Sequence, residues 1–396
     1  MIPENLYDLA FAFRKVELWE ELYDDDMFAV RHSDGTIGYC CVMGAMGEHY
    51  ALANFHGESG LDSYRRLSDE DDPSDYLRYY EFMRSEDCVM LSFENKTDLQ
   101  DWEKADLNAY CKKNGIKTRG RCSYPSFARY APAKLPWKLT DQDQTYIREA
   151  LEAAMEVSAQ LKTKTCGELG IISGVPYNRS IPLLEKNGDA YIWSSVRLGR
   201  RKKRQYYSPK TLDEISLARL AKCRNRGEEW ASDLFMMPMP VEGGDAAPYF
   251  PYTLLTLDPE SEMIISTKLV PVKEDKELLT ELVRLALAHG KPRKIRVMND
   301  QTYAFFKNIA PQLDAELCRE DGIPCLIEAE IRLSDQLEDE DPEEDEEAFR
   351  QMLADPSQLA AIPEPILVEM RDRGKEYGLP EEILALIRQE CRKRGI

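Results

Sequence analysis

Asp258 and Asp300 have the residue type and the setting to do chemistry. The first closes an apolar run, Tyr252–Leu257, that reads as a strand. The second follows another, Ile295–Met298. Carboxylates at neighbouring strand ends present hard oxygen ligands to a divalent cation, which can then clamp a phosphoryl group during transfer. The same two residues also suit turns, because Asp accepts hydrogen bonds from the backbone just ahead of it. Both readings stand on the sequence.

A second constellation lies near the start. His32, His49 and His56 accompany Cys40 and Cys41, all types that ligate zinc. Adjacent cysteines on one strand point to opposite faces, so only one of them could join such a site. None of the spacings matches a zinc template, and nothing marks either thiol as an activated nucleophile.

The third is a cationic run. Arg200, Arg201, Lys202, Lys203 and Arg204 read as the tip of a hairpin between Ala190–Leu198 and Arg204–Tyr207, flanked by Trp193, Tyr206 and Tyr207. Cations beside aromatics suit phosphate contact and base stacking. They equally suit a solvated tip, a protein partner or the chain's own acidic run.

The elements that must position these residues are legible in outline. The order is strands with helices, an α+β chain of several domains. Residues 1–235 read as an N-terminal domain built on an antiparallel sheet, with a break near 125–140. Residues 236–334 read as a ββαβαβ-type α/β domain set off by the Pro/Gly-rich segment 236–251. Residues 335–347 carry ten acidic and no basic side chains, and read as a solvated linker. Residues 348–396 read as a helical segment, with Pro363, Pro365 and Pro380 at helix starts. Thr140 with Asp143 three positions on has the pattern of a capping box. Gly35, Gly38, Gly44, Gly47, Gly57 and Gly60 read as turn glycines and lack the GxGxxG order of a dinucleotide site.

Composition narrows the function classes. At 396 residues and 43% hydrophobic content the chain supports more than one core. Its net charge of −20 argues against indiscriminate nucleic-acid binding, but residues 197–226 hold eleven Lys/Arg against Asp213 and Glu214. Ten cysteines without a Cys-x-x-Cys pair read as free thiols in a reducing cytoplasm. The start lacks a signal peptide's apolar segment, and no run is long and apolar enough to span a membrane.

Two resemblances follow. Leu18-Trp19, Phe28-Ala29-Val30, Gly38-Tyr39-Cys40-Cys41-Val42-Met43-Gly44 and Gly60-Leu61-Asp62-Ser63-Tyr64-Arg65 make residues 1–334 similar to an uncharacterised family of bacterial cytoplasmic proteins. That family is made of two domains of unknown function, and it carries over no catalytic residue. His289-Gly290-Lys291-Pro292, Ile295-Arg296-Val297-Met298-Asn299-Asp300 and Phe305-Phe306 resemble the corresponding strand of integrases and other ribonuclease-H-like enzymes. There an aspartate ends a strand opening opposite the first, and the pair holds divalent metal. This chain has Asn-Asp where that pattern has Asp-Asn-Gly. Two strands read ahead of the helix where the fold has three, and Glu328 and Glu330, in the region of a third acid, read as strand residues.

The resulting expectation is a non-catalytic binding or regulatory protein with no cofactor. A protein or polyanion partner would meet the basic hairpin. The alternative is a Mg2+-dependent nuclease or other phosphoryl-transfer enzyme using Asp258 and Asp300, with Glu328 as a further acid.

Overall fold

Leu6, Tyr7, Ala10 and Phe13 recur at helical spacing and form the buried face of α1 (Glu4–Val16). The computed structural model describes residues 2–47, 49–68, 76–118, 120–174, 177–200, 203–223, 228–338, 364–374 and 381–394. It is α+β, with two compact units, Met1–Leu326 and Ile327–Ile396.

After α1 come β1 (Phe28–Arg31), β2 (Ile37–Met43) and β3 (Ala51–His56), then α2 (Gly57–Ser68) and α3 (Tyr76–Met83). β4 (Cys88–Glu94), α4 (Asp101–Asn114) and β5 (Tyr124–Tyr130) follow. Next are α5 (Asp141–Leu161), α6 (Cys166–Leu169), β6 (Ser180–Asn187) and β7 (Ala190–Arg197). These strands form one sheet in the order β5-β4-β3-β2-β1-β6-β7. It is antiparallel except at β1·β6, which pair in parallel.

Strand alternation divides the apolar residues between the two faces of this sheet. Phe28, Val30, Cys40, Val42, Leu52, Val89 and Leu91 pack with α1 and with Ile147, Leu151 and Val157 of α5. Met27, Ala29, Tyr39, Cys41, Ala53 and Phe55 pack on the other face with Leu61 and Tyr64 of α2. Each fully buried Phe, Leu or Val contributes roughly 1.5–3 kcal/mol, so both layers hold the sheet firmly. Thr140 caps α5 as the sequence predicts. Its side chain accepts from the Asp143 amide at 3.2 Å, and the Asp143 carboxylate accepts from the Thr140 amide at 2.9 Å.

The break expected near 125–140 begins inside a strand. β5 pairs with β4 from Tyr124 to Tyr130 and forms the sheet's edge, where Pro125 removes no ladder hydrogen bond. The expected basic hairpin is also corrected. β7 pairs with β6, and the turn is at Gly188-Asp189, with Gly188 at φ +63°. Residues 203–213 form no strand.

The rest of the first unit contains α7 (Glu214–Leu220), β8 (Glu229–Met236), β9 (Tyr252–Asp258) and β10 (Met263–Val270). α8 (Lys276–His289), β11 (Lys294–Val297), α9 (Asp300–Phe306) and β12 (Glu316–Arg319) complete it. The second sheet has the order β10-β9-β8-β11-β12. β8 is its centre, antiparallel to β9 and parallel to β11. The segment 236–251, where a boundary was expected, therefore joins two paired strands. Three strands precede α8, as the ribonuclease-H-like resemblance requires, because β8 lies ahead of that segment.

α10 (Pro324–Glu338) contains the division between the units. Glu328 and Glu330, expected in a strand, are helical here: buried Ile323, Leu326 and Ala329 recur every three residues. Asp335–Glu338, expected to begin an extended linker, are the last residues of this helix. The remainder of the expected linker, 339–347, and the start of the expected helical segment, 348–363, lie outside the described residues. In the second unit α11 (Glu364–Arg373) and α12 (Glu381–Arg394) share a small core of Leu367, Ile383, Leu384, Ile387 and Cys391.

Candidate functional site

Strand direction decides the fate of the expected carboxylate pair. Leu257 of β9 and Arg296 of β11 both face Ala231 of β8, from opposite sides. From that level β9 runs toward the start of β8 and β11 toward its end. Asp258 and Asp300 thus leave opposite ends of the sheet, separated by roughly 10 Å or more along the strands.

Each has a local task. Asp258 caps the β9–β10 turn, accepting from the Glu260 amide at 3.0 Å and the Ser261 hydroxyl at 2.7 Å. The Ser261 hydroxyl, then the Glu260 amide, hold its carboxyl below the usual range. Asp300 opens α9, where a negative charge favours the helix N-terminus, and pairs with Arg319 at 2.9 Å on the surface. Glu328 is an exposed residue of the second unit, paired with Arg332 one helical turn on at 3.4 Å. Asp258 and Asp300 therefore do not assemble a magnesium site.

A different acid occupies the centre of the sheet. Asp233 of β8 is fully buried, an expensive place for a carboxylate unless every oxygen is satisfied. Its Oδ1 accepts from Asn299 Nδ2 at 2.6 Å, from the Thr302 hydroxyl and from the Leu234 amide at 2.8 Å. Its Oδ2 meets the guanidinium of Arg78, which arrives from α3 and also donates from Nη1 to the Leu234 carbonyl at 3.3 Å.

The sequence difference noted above has its explanation in this contact. Asn299 caps α9 by accepting the Thr302 amide at 2.9 Å, and its Nδ2 remains free to hold Asp233. An ionised aspartate could cap the helix but could not donate. In the resemblance the paired acids lie on the first strand and the strand after the helix. Here those strands are β8 and β11, and the facing residues are Asp233 and Asn299.

Beside this lies a second buried polar set. Lys273 pairs with Glu81 of α3 and donates to Gln301 Oε1 at 2.6 Å, while Gln301 Nε2 donates to the Leu234 carbonyl at 2.9 Å. Burial, partly opposed by Glu81, pushes the Lys273 ammonium down. Helix α3 thus contributes two charged side chains to the carboxyl end of β8, and neither contact was foreseen from the sequence.

Two of the three histidines meet on one aromatic ring, and among the described residues they gather no third ligand. His32 is buried and donates from Nδ1 to Glu149 at 2.8 Å, while its Nε2 accepts from Asn54 at 3.1 Å. His32 and His56 both lie against Tyr146, with ring centroids 4.5 and 4.9 Å away. His49 is exposed between β2 and β3. Burial lowers the pKa of both His32 and His56. Cys40 and Cys41 belong to the cores on opposite faces of the sheet, and burial pushes both thiols far up, so neither is a ready nucleophile. Among the described residues no three His, Cys, Asp or Glu side chains are placed to hold a metal.

The aromatics expected around the cationic tip are dispersed. Trp193 packs against the first sheet's core and Tyr207 against the second's, with its ring 6.3 Å from Phe305. Among the described residues Tyr206 stays with a cation, its ring 5.0 Å from Arg204. Arg200, Lys203 and Arg204 are exposed, and Arg201 and Lys202 lie outside the described residues.

Residues 4–169 match the model of a domain of unknown function, DUF7309, and residues 216–334 that of another, DUF6930. No curated protein matches the chain. Among solved structures, the chain is similar to the cryoEM structure of the simian T-cell lymphotropic virus intasome in complex with PP2A regulatory subunit B56 gamma. The identity is 13% and the TM-score 0.20, over 41% of this chain and 48% of that one. This chain therefore spans about half the length of that relative. A TM-score so low supports no fold argument, and the strand order of the second sheet stands on its own. No described helix is long and apolar enough to cross a membrane.

Proposed function

We propose that this chain, with its two domains of unassigned function, is a binding or regulatory protein of a reducing compartment and performs no metal-dependent phosphoryl transfer. The occupied Asp233 carboxylate supports this reading above all. A divalent cation binds through free carboxylate oxygens, and here Arg78, Asn299, Thr302 and Leu234 already use them. Removing Arg78 alone would leave a buried negative charge without compensation. All ten cysteines are free thiols, in keeping with a reducing environment. The binding surface we assign is the exposed cationic segment around Arg200, Lys203 and Arg204, which would meet a polyanionic partner.

The deciding experiment is a nuclease assay of the full chain on labelled DNA and RNA with magnesium or manganese. No metal-dependent cleavage is expected. Turnover that disappears in Asp233→Asn would overturn the proposal.

A further inference from the structure

A hollow of about 550 Å³ opens beside α3, with walls from α2, α3, the turn after β5, the Gly243–Tyr252 segment and the β10–α8 connection. Among the described residues five cations line it: Arg66, Arg84, Lys134, Arg204 and Lys273. Two acids accompany them, Glu81 and Glu274, and Glu81 is already tied to Lys273. The described lining residues therefore carry a net charge of +3 (five minus two) in a chain of −20.

The other four cations form no ion pair among the described residues. Arg84 lies over the rings of Tyr80 and Phe250, at 5.3 and 5.1 Å. Arg204 lies over Tyr206, and Arg66 donates from Nε to the Asp62 carbonyl at 3.3 Å. These contacts orient the side chains without neutralising them. Arg66 is lowered first by burial and then by the nearby charge of Arg204, which also bears on Lys273. Like charges gathered in a concavity raise the free energy of the empty protein, and a bound anion relieves that repulsion.

We infer that this hollow binds a small phosphate-bearing anion. Guanidinium forks match the tetrahedral oxygens of phosphate by paired hydrogen bonds, and three of the five cations are arginines. The volume is that of a small-molecule pocket and exceeds what a bare phosphate fills. The remaining wall includes Tyr249, Tyr252 and Val272, apolar enough to accept the organic part of such a ligand. Gly243 keeps the wall tight: a Cβ there would meet the Ala246 and Ala247 carbonyl oxygens at 2.6 Å. This inference is independent of whether the Asp233 centre is catalytically silent.

The test is calorimetric titration of the full chain, at low ionic strength, with pyrophosphate and with ADP. Saturable binding at one site is expected. Arg66→Gln/Arg204→Gln should weaken it about tenfold or more, through lost charge-assisted hydrogen bonds. Lys112→Gln/Lys162→Gln, exposed and outside the hollow, should leave it unchanged. Tighter binding of ADP than pyrophosphate would show that the organic part is also read, and equal binding that phosphate alone is recognised; either supports the inference. Absence of saturable binding, equal loss in both double variants, or tighter binding of citrate would overturn it. The ligand-free Arg66→Gln/Arg204→Gln protein should melt no lower than the parent, because repulsion is removed. A fall in its melting temperature would also count against the inference.

Discussion

Arg78 and Asp233 stand 155 positions apart in the chain and form a charged contact at the heart of the second sheet. Asp233 is fully buried, and the Arg78 side chain is only 15% exposed. The pair joins a helix from the first half of the chain to the central strand of the second half. It also fills the place where a catalytic carboxylate would need open coordination.

Arg78→Met should therefore be costly. It leaves a buried carboxylate short of its cation, a change worth about 3–5 kcal/mol. Urea denaturation would measure it. Adding Asp233→Asn to Arg78→Met should recover part of the loss, giving a clear coupling energy in a double-mutant cycle. A cost for Arg78→Met below about 0.5 kcal/mol, typical of an ordinary surface site, would remove the contact's structural importance.

Asp258 and Asp300 should behave as strangers. Asp258→Ala loses a turn cap and Asp300→Ala an exposed ion pair, so each should cost about 1 kcal/mol or less. Their effects should add within about 0.5 kcal/mol, as distant sites do. Magnesium should not raise the melting temperature of the wild type more than that of the double variant. Strong coupling, or a magnesium shift confined to the wild type, would mean that the two acids share an ion.

The buried histidines predict a direction for acid sensitivity. Burial lowers His32 and His56 in the folded chain, so the unfolded chain binds protons first as pH falls. Their full contribution to stability is present above the unfolded value of about 6.5, and is lost as pH drops from there through the lower folded values. Urea midpoints should fall over that window, and His56→Gln should show a shallower fall. An identical pH slope in wild type and variant would exclude His56 as a contributor.

Polyanion binding through the cationic segment should depend on salt. Neutralising Arg200, Arg201, Lys202, Lys203 and Arg204 together should weaken retention on immobilised nucleic acid and flatten its salt dependence, since each lost phosphate contact releases one counterion fewer. Wild-type protein that shows no retention at low salt would redirect the search to a protein partner.

Proteolysis should find the acidic run. Ten carboxylates in thirteen residues repel one another, and the described part of helix α10 ends at Glu338. First cleavage is expected within 339–347, leaving a stable fragment that ends near 338. Earlier cutting between β9 and β12 would contradict this.

Local chemistry was readable in the sequence, and distant partnership was not. The Thr140–Asp143 cap is written within four positions, and so is the Asp34-Gly35 turn, where the Thr36 amide donates to Asp34 Oδ1 at 2.9 Å. β5 was hidden because Pro125 reads as a loop residue, and only its place at the sheet edge makes it tolerable. β8 was hidden because Ser232 and Asp233 interrupt its apolar run. Their partners, Thr256 and Arg78, lie in other elements. The ββα order at 252–289 was legible, but the strand that centres it was not. Two aspartates at real element ends were therefore paired on the wrong assumption about strand direction.

The parallel pairing of β1 with β6 has a consequence for biosynthesis. Arg31 and Glu185, linked across that pairing at 3.0 Å, are 154 positions apart. A nascent chain at some 5–20 residues per second would take on the order of ten seconds to supply β6 after β1 emerges. Through that interval one flank of β1 offers unpaired backbone groups, the kind of edge that invites wrong partners. The first sheet is thus completed late, and its early strands are a natural client for whatever escorts new chains from the ribosome.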